Sequence, residues 1–269
     1  MSTDSRFDAT IERFTGFGAH YDQVRPEPPR RLAELLGGIA RCPRPALVVD
    51  LGSGTGLASR YWARHAEKVI GIEPTASMRE QAQADGGANI EYREGYSHAT
   101  GLPDGCADLV VCSQALHWMD PQATFAEARR ILREGGVFAA CDYDWPPATL
   151  YWEADAAYVG CQQRAERLER ERGIAARLHR WDKAGHLGRM RESNCFRHVR
   201  ECLLHHRDTG TADRVAGLLM SQGSVQTLLK EGVTEDELGI GELRATVRRA
   251  FDGEAVPWFW SARVRLGVK

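Results

Sequence analysis

The stretch that most constrains this chain is Ala46 to Ser59, ALVVDLGSGTGLAS. An apolar run, Ala46 to Val49, ends in Asp50, and Leu51 leads into Gly52, Gly54 and Gly56, spaced by single residues. A short β-rich apolar run reads as a buried parallel strand, and a glycine-dense turn feeding Leu57 and Ala58 reads as strand, loop, helix. Glycine takes positive φ at little cost and lets a ligand approach the main chain. The helix that follows points unpaired N–H groups into the loop. Such a turn is built to hold a nucleotide-like ligand.

Around it, strands alternate with helices. Phe7, Ile11, Phe14 and Phe17 fall at helical spacing over residues 5–20. Pro28 and Pro29 suit the first turn of a second helix, through about Ala40. After the glycine loop come a helix over 56–66, a strand from Lys68 to Ile72 ending at Glu73, a helix over 75–84, and strands at about 89–93 and 107–112. Pro121 opens a helix to Leu132, and REGG at 133–136 turns into a fifth strand, 137–141. This order argues for an open α/β sheet with parallel strands. Residues 145–192 break it with Pro146, Pro147, several aromatics and a charged helical run, and read as a helical insertion. A strand at 196–206, helices at about 212–230 and 234–251, and a last strand at 257–268 follow. In that last strand Trp258, Trp260, Ala262, Val264 and Leu266 alternate with polar partners, as in a half-buried or antiparallel edge strand. The expected fold is therefore seven strands, mostly parallel with an antiparallel last strand, in one domain over 1–269. A helical lid is expected at 1–41 and a helical cap at 145–192.

Composition excludes several classes. A formal charge of −2 points away from a nucleic-acid partner. The arginines from Arg164 to Arg172 are neutralised by Glu166, Glu169 and Glu171, as on a solvated helix face. The seven cysteines are odd in number, contain no C-x-x-C and lie partly in apolar runs, as reduced core thiols in a cytoplasmic protein. No apolar stretch approaches the ~20 residues needed to span a bilayer. Cys202, His205 and His206 do not form a metal site, because adjacent strand residues face opposite sides.

Two cofactors compete for the loop. The dinucleotide signature G-x-G-x-x-G requires glycine at position 57, where this chain has Leu57. Asp50 and Glu73 end neighbouring strands, and in an open sheet strand ends flank the ligand crevice. A carboxylate at the second strand end can accept two hydrogen bonds from a ribose diol; otherwise Glu73 is a solvated strand-end acid.

In VVDLGSGTG (48–56), VIGIEPTASM (69–78), GLPDGCADLVVCSQALHW (101–118) and ILREGGVF (131–138), in that order, the chain resembles the class I S-adenosylmethionine-dependent methyltransferases. The resemblance covers about 20–142. The Gln114–Trp118 run, with Tyr21 and Arg25-Pro26, looks like the small-molecule branch that includes trans-aconitate-type enzymes. The resemblance implies a Rossmann-like sheet with S-adenosylmethionine as cofactor. It places Gly52, Gly54 and Gly56 along the methionine and ribose, Asp50 near the amino group, Glu73 on the ribose hydroxyls, and Pro74 and Met78 near the adenine. Gln114 falls beside the sulfonium, and Tyr21 closes over the site. Where the family carries an acid near the adenine amino group, this chain has Ser97 and His98. Main-chain groups, the Ser97 hydroxyl or His98 take over that contact.

His117, in the motif beside the methyl donor, is a candidate general base, since an ordinary imidazole pKa near ~6.5 suits proton removal at neutral pH; its other reading is a packed capping residue. Tyr143 is a second candidate catalytic group. Tyr143, Trp145, Tyr151 and Trp152 either wall an acceptor pocket or pack beneath the inserted helices, while Trp258 and Trp260 read as sheet packing. The expected activity is methyl transfer to a small-molecule acceptor by in-line displacement. The alternatives are a catalytically silent S-adenosylmethionine-binding or interaction protein and a nicotinamide-dependent oxidoreductase. Neither the acceptor, the methylated atom nor the oligomeric state can be read from the sequence.

Overall fold

The structure, a computed structural model, describes residues 20–269. The helix expected over 5–20 lies outside the described residues except for its last position. The chain divides into two compact units. Of the described residues, one consists of Glu27–Tyr143, Arg180–Leu204 and Ala262–Lys269, the other of 20–26, Asp144–His179 and His205–Ser261.

The first unit carries α2 (Leu32–Ile39), β1 (Leu47–Leu51), α3 (Leu57–Ala63), β2 (Lys68–Ile72), α4 (Ala76–Ala84), β3 (Ile90–Arg93), β4 (Ala107–Ser113), α5 (Pro121–Ile131), β5 (Leu132–Tyr143) and α8 (His186–Glu192). The long strands β6 (His198–Gly210) and β7 (Val256–Val268) have residues in both units. Strand order in the seven-stranded sheet is β3-β2-β1-β4-β5-β7-β6. The pairs β1–β2, β1–β4, β2–β3 and β4–β5 are parallel, and β7 runs antiparallel to β5. Leucine, valine and isoleucine fill most of β1 and β2 and the centre of β4 because both faces of the central strands are covered. Asp120 caps α5 by accepting from Ala123 N at 3.0 Å, and Pro121 takes the first helical turn. Phe125 of α5 then packs edge-on against Phe138, which stacks on Phe196 at 5.6 Å.

The expected sheet of seven strands, mostly parallel with β7 antiparallel to β5, is present, and two of the strand readings are corrected. REGG at 133–136 is not a turn ahead of a strand: β5 already begins at Leu132. Its register against β4 jumps from Ala107↔Leu132 to Leu109↔Val137, so the glycines make a bulge inside the strand. The last strand, β7, is antiparallel but not the edge; β6 lies outside it. Of its polar positions Arg265 is buried, while Ser261 and Arg263 are half-buried.

In the second unit, α6 (Trp152–Glu171) packs against α10 (Gly223–Lys230) and α12 (Ile240–Phe251), with α1 (His20–Val24), α7 (Ile174–Arg177), α9 (Ala212–Met220) and α11 (Glu235–Leu238) completing it. The helix expected over 212–230 is two, because Gln222 is extended (ψ 132°). Trp258 and Trp260 are fully buried, as expected of sheet packing. Arg25 donates to Ser221 Oγ and O at 2.8 and 2.7 Å while its guanidinium covers the Trp145 ring. The segment 145–192 divides between the units at His179 and Arg180.

Entry into β1 is set by one side chain. Asp108 of β4 accepts from Ala46 N and Leu47 N at 2.8 and 3.1 Å and from Arg133 Nε at 2.6 Å. Replacing Asp108 by alanine strands those donors; urea unfolding is expected to show a loss of about 2–3 kcal/mol.

Candidate functional site

The site is built at the carboxyl ends of β1, β2 and β4. Asp50 lies in the middle of the sheet, opposite Gly71 of β2 and Val111 of β4. It is fully buried, and its Oδ2 accepts from Ser59 Oγ at 2.7 Å. Burial, with Glu73 nearby as a like charge and the Ser59 bond opposing, pushes the Asp50 carboxyl up to about 7. Beyond β1 the chain turns through Gly52 (φ +66°), Gly54 (φ +55°) and Gly56 (φ +85°). Gly52 needs both its conformation and its missing side chain: a Cβ there would lie 2.9 Å from Ala115 Cβ. Gly52 N donates to Ile72 O at 2.8 Å, so the loop continues the β1–β2 ladder.

Glu73, buried at 6 % exposure, ties this loop to the next. Its Oε2 accepts from Gly54 N at 3.1 Å and its Oε1 from Thr75 N at 2.9 Å. Each oxygen keeps a second lone pair. Pro74 is half-buried, its carbonyl accepting from Arg79, and Met78 is buried on α4 beneath Gly54.

Beyond β4, Gln114 adopts φ +56°, a left-handed conformation uncommon outside glycine. Its N–H donates to Cys141 O of β5 at 2.9 Å. A single 3₁₀ turn, Leu116–Trp118, follows. His117 on that turn is buried, with Nδ1 4.0 Å from Asp142 Oδ1. Among the described residues, four buried polar atoms at these strand ends have no hydrogen-bond partner: Asp50 Oδ1, Ser53 Oγ, Ser113 Oγ and Gln114 Nε2. Native interiors rarely leave such groups unpaired, so their grouping marks a polar ligand site.

The structure thus brings together Asp50, Gly52, Gly54, Gly56, Glu73, Pro74 and Met78 around two loops, and Gln114 and His117 on a third. Ser97 is buried, its hydroxyl 2.8 Å from Thr124 Oγ1. His98 is exposed and stacks on Tyr96. Tyr143 is buried and donates to Glu27 O at 2.5 Å. Tyr21 belongs to the second unit, with the Arg25 guanidinium over its ring. Of the aromatics after β5, Trp145 packs against Trp260 and Tyr151 against Phe251, while Trp152 is exposed. Sequence reasoning missed Asp142 and Lys183: Lys183 Nζ lies 2.9 Å from Asp142 Oδ1 and donates to Gln114 Oε1 at 3.1 Å. No local motif marks a pair so far apart in the chain.

Residues 49–140 match the family model for a methyltransferase domain. A candidate methyltransferase of Dictyostelium discoideum is 31% identical over 143 residues, 53% of this chain and 52% of its own. A candidate S-adenosylmethionine-dependent methyltransferase of Saccharomyces cerevisiae is 30% identical over 52% of this chain and 50% of its own. The chain spans about half the length of these curated relatives. A solved structure from Anaeromyxobacter dehalogenans, assigned as a candidate type II methyltransferase, is 26% identical with a TM-score of 0.66, covering 91% of this chain and 97% of that one. Residues 49–140 are thus similar to a methyltransferase domain, on a fold shared with a solved candidate methyltransferase. The donor set fits S-adenosylmethionine: a carboxylate with open lone pairs for a diol, a buried acid for an ammonium, and hydroxyl and amide groups that have no partner among the described residues.

The buried acid gives a pH signature in the ligand-free protein. A folded-state carboxyl raised to about 7 binds a proton that the unfolded chain, near 3.8, has released. Its favourable contribution is complete below about 4 and is lost as pH rises through 7. Asp50→Asn keeps the Ser59 bond without the ionisation. The variant is expected to gain stability over the parent in urea titrations at pH 8 and to lose that gain at pH 4.

Proposed function

We propose that this chain transfers a methyl group from S-adenosylmethionine to a small-molecule acceptor. The observation that carries the reading is the Glu73 carboxylate, pinned by the main chain of both loops with a lone pair open on each oxygen. Such a group takes both hydroxyls of a ribose without rearranging. Asp50 takes the amino group of the cofactor, and Gly52, Gly54 and Gly56 allow close approach along its methionine and ribose. Pro74 and Met78 lie toward the adenine, whose amino group is met by main-chain groups, Ser97 or His98. Tyr21 closes over the bound cofactor. When bound, the cofactor supplies a methyl group already activated by a sulfonium charge, so no protein nucleophile is required.

What the protein adds is alignment, worth up to ~7–11 kcal/mol in favourable cases. His117, with Asp142 on its Nδ1 side, takes a proton from acceptors that must lose one. Tyr143, with its hydroxyl engaged by Glu27, acts by position. The Gln114–Trp118 run supports the branch that includes trans-aconitate-type enzymes. Acceptor specificity is assigned to a helical cap at 145–192, with residues 1–41 as lid. A cytoplasmic location accords with the free cysteines; no helix among the described residues is long and apolar enough to cross a membrane.

Glu73→Ala is expected to weaken S-adenosylhomocysteine binding in calorimetry at least tenfold, at ~1.4 kcal/mol per decade. Unchanged affinity would remove Glu73 from the site. His117→Asn is expected to lower kcat by about 10²–10⁴-fold for an acceptor that must be deprotonated. It should abolish the acid limb of the pH–rate profile while leaving S-adenosylhomocysteine affinity within about threefold. A retained acid limb assigns the proton to another group.

A further inference from the structure

Apart from Asp142 beside His117, the proposed reaction leaves a cluster of charges without a task. The Asp142 and Arg265 side chains are 5% and 3% exposed, a placement that costs free energy unless the charges are well paired. Arg265 Nη1 donates to Asp142 Oδ2 at 3.2 Å, and its Nε lies 2.8 Å from Glu201 Oε2. Glu201 also accepts from Arg263. Lys183 closes the chain of ion pairs on Asp142 and delivers it to Gln114. Three cations thus stand against two carboxylates. Burial holds His186, at the start of α8, down at about 4, so its ring adds no charge at neutral pH.

Lys183 is itself held in place. Trp181 N donates to His117 O at 2.8 Å, and the Arg180 guanidinium covers the Trp118 ring. The segment from Arg180 to Lys183 is therefore strapped along the 3₁₀ turn that follows Gln114. An ammonium carries only donors, so the Gln114 carboxamide must turn its oxygen toward Lys183. The shape of a carboxamide alone does not distinguish its two ends; this partner does. Nε2 is left as a buried donor without a partner among the described residues.

We propose that Lys183, anchored on Asp142, is a positioning residue that locks the Gln114 carboxamide, so that Nε2 is offered to a lone-pair oxygen of the acceptor and an ammonium group is refused. The term acceptor rests on the methyltransferase reading; the lock does not. A locked donor selects by polarity: an oxygen satisfies the orphaned N–H, whereas a protonated amine leaves it unpaired and meets the Lys183 charge.

The lock is tested in the free, full-length ¹⁵N-labelled protein, with the Gln114 side-chain amide signals identified by their loss in Gln114→Glu. In the parent, these hydrogens are expected to exchange at least tenfold more slowly than those of exposed glutamines. Lys183→Met should remove that protection and Lys183→Arg should retain it; equal protection in Lys183→Met overturns the lock. If Lys183→Met does not fold, Lys183→Gln, neutral and indifferent to the amide's orientation, should show the same loss. Donor polarity is tested by titrating the parent, saturated with S-adenosylhomocysteine, with millimolar benzoate or benzylamine. Benzoate should shift the Gln114 Nε2 signals and benzylamine should not; a shift with benzylamine, or with neither, overturns the assignment. Calorimetry showing no S-adenosylhomocysteine binding would sink the methyltransferase reading, and the polarity titration is then run on the free protein and judged by the same outcomes.

Discussion

Glu73 joins the loops that follow β1 and β2: one carboxylate oxygen takes the Gly54 N–H and the other the Thr75 N–H. The neighbouring geometry depends on this bridge. Gly52 N and Ser53 N both donate to Ile72 O, one residue before Glu73, so the glycine turn is fixed to β2 by main chain and side chain alike. A loop held this way keeps its positive-φ glycines ready for a ligand. The bridge orders the site before anything binds, which lowers the entropic cost of binding.

The bridge brings a second carboxylate into play. Asp50 is buried in the middle strand, close enough to Glu73 for like-charge repulsion to add to desolvation. Ser59 satisfies only one of its oxygens. The protein therefore carries a protonatable group at the mouth of its central strand whose remaining oxygen has no partner. A cationic ligand group would supply both the partner and the charge that favours ionisation. Stability in the empty protein is given up there for binding capacity, the usual origin of strongly perturbed acids in clefts.

The alternation of β-rich runs with helical periods was legible in the sequence because each central strand is covered on both faces and reads as an unbroken apolar run. Asp50 and Glu73 were legible for a related reason: a charged residue directly after such a run must sit at the strand's end, where an open sheet binds ligands. The bulge at 133–136 was not, since glycine marks a turn and a bulge equally. Arg265 was misleading in the other direction. Its alternation with Val264 and Leu266 suggests a solvated position, but Arg265 is buried between the carboxylates of Asp142 on β5 and Glu201 on β6. The link from Gln114 through Lys183 to Asp142 and Arg265 joins segments whose proximity is decided only by the sheet order and by where the chain returns after residue 179.

That link bears on how such a site can work without an obvious catalytic triad. Displacement at an activated methyl group is governed by distance and angle, so rigid placement of the groups around it counts for more than their reactivity. Gln114 is restrained on three sides: by its left-handed backbone, by its N–H on Cys141, and by its side-chain oxygen on Lys183. A left-handed non-glycine residue and a row of buried charges both cost stability. Both costs meet at Gln114, and alignment in the proposed methyl transfer accounts for them together.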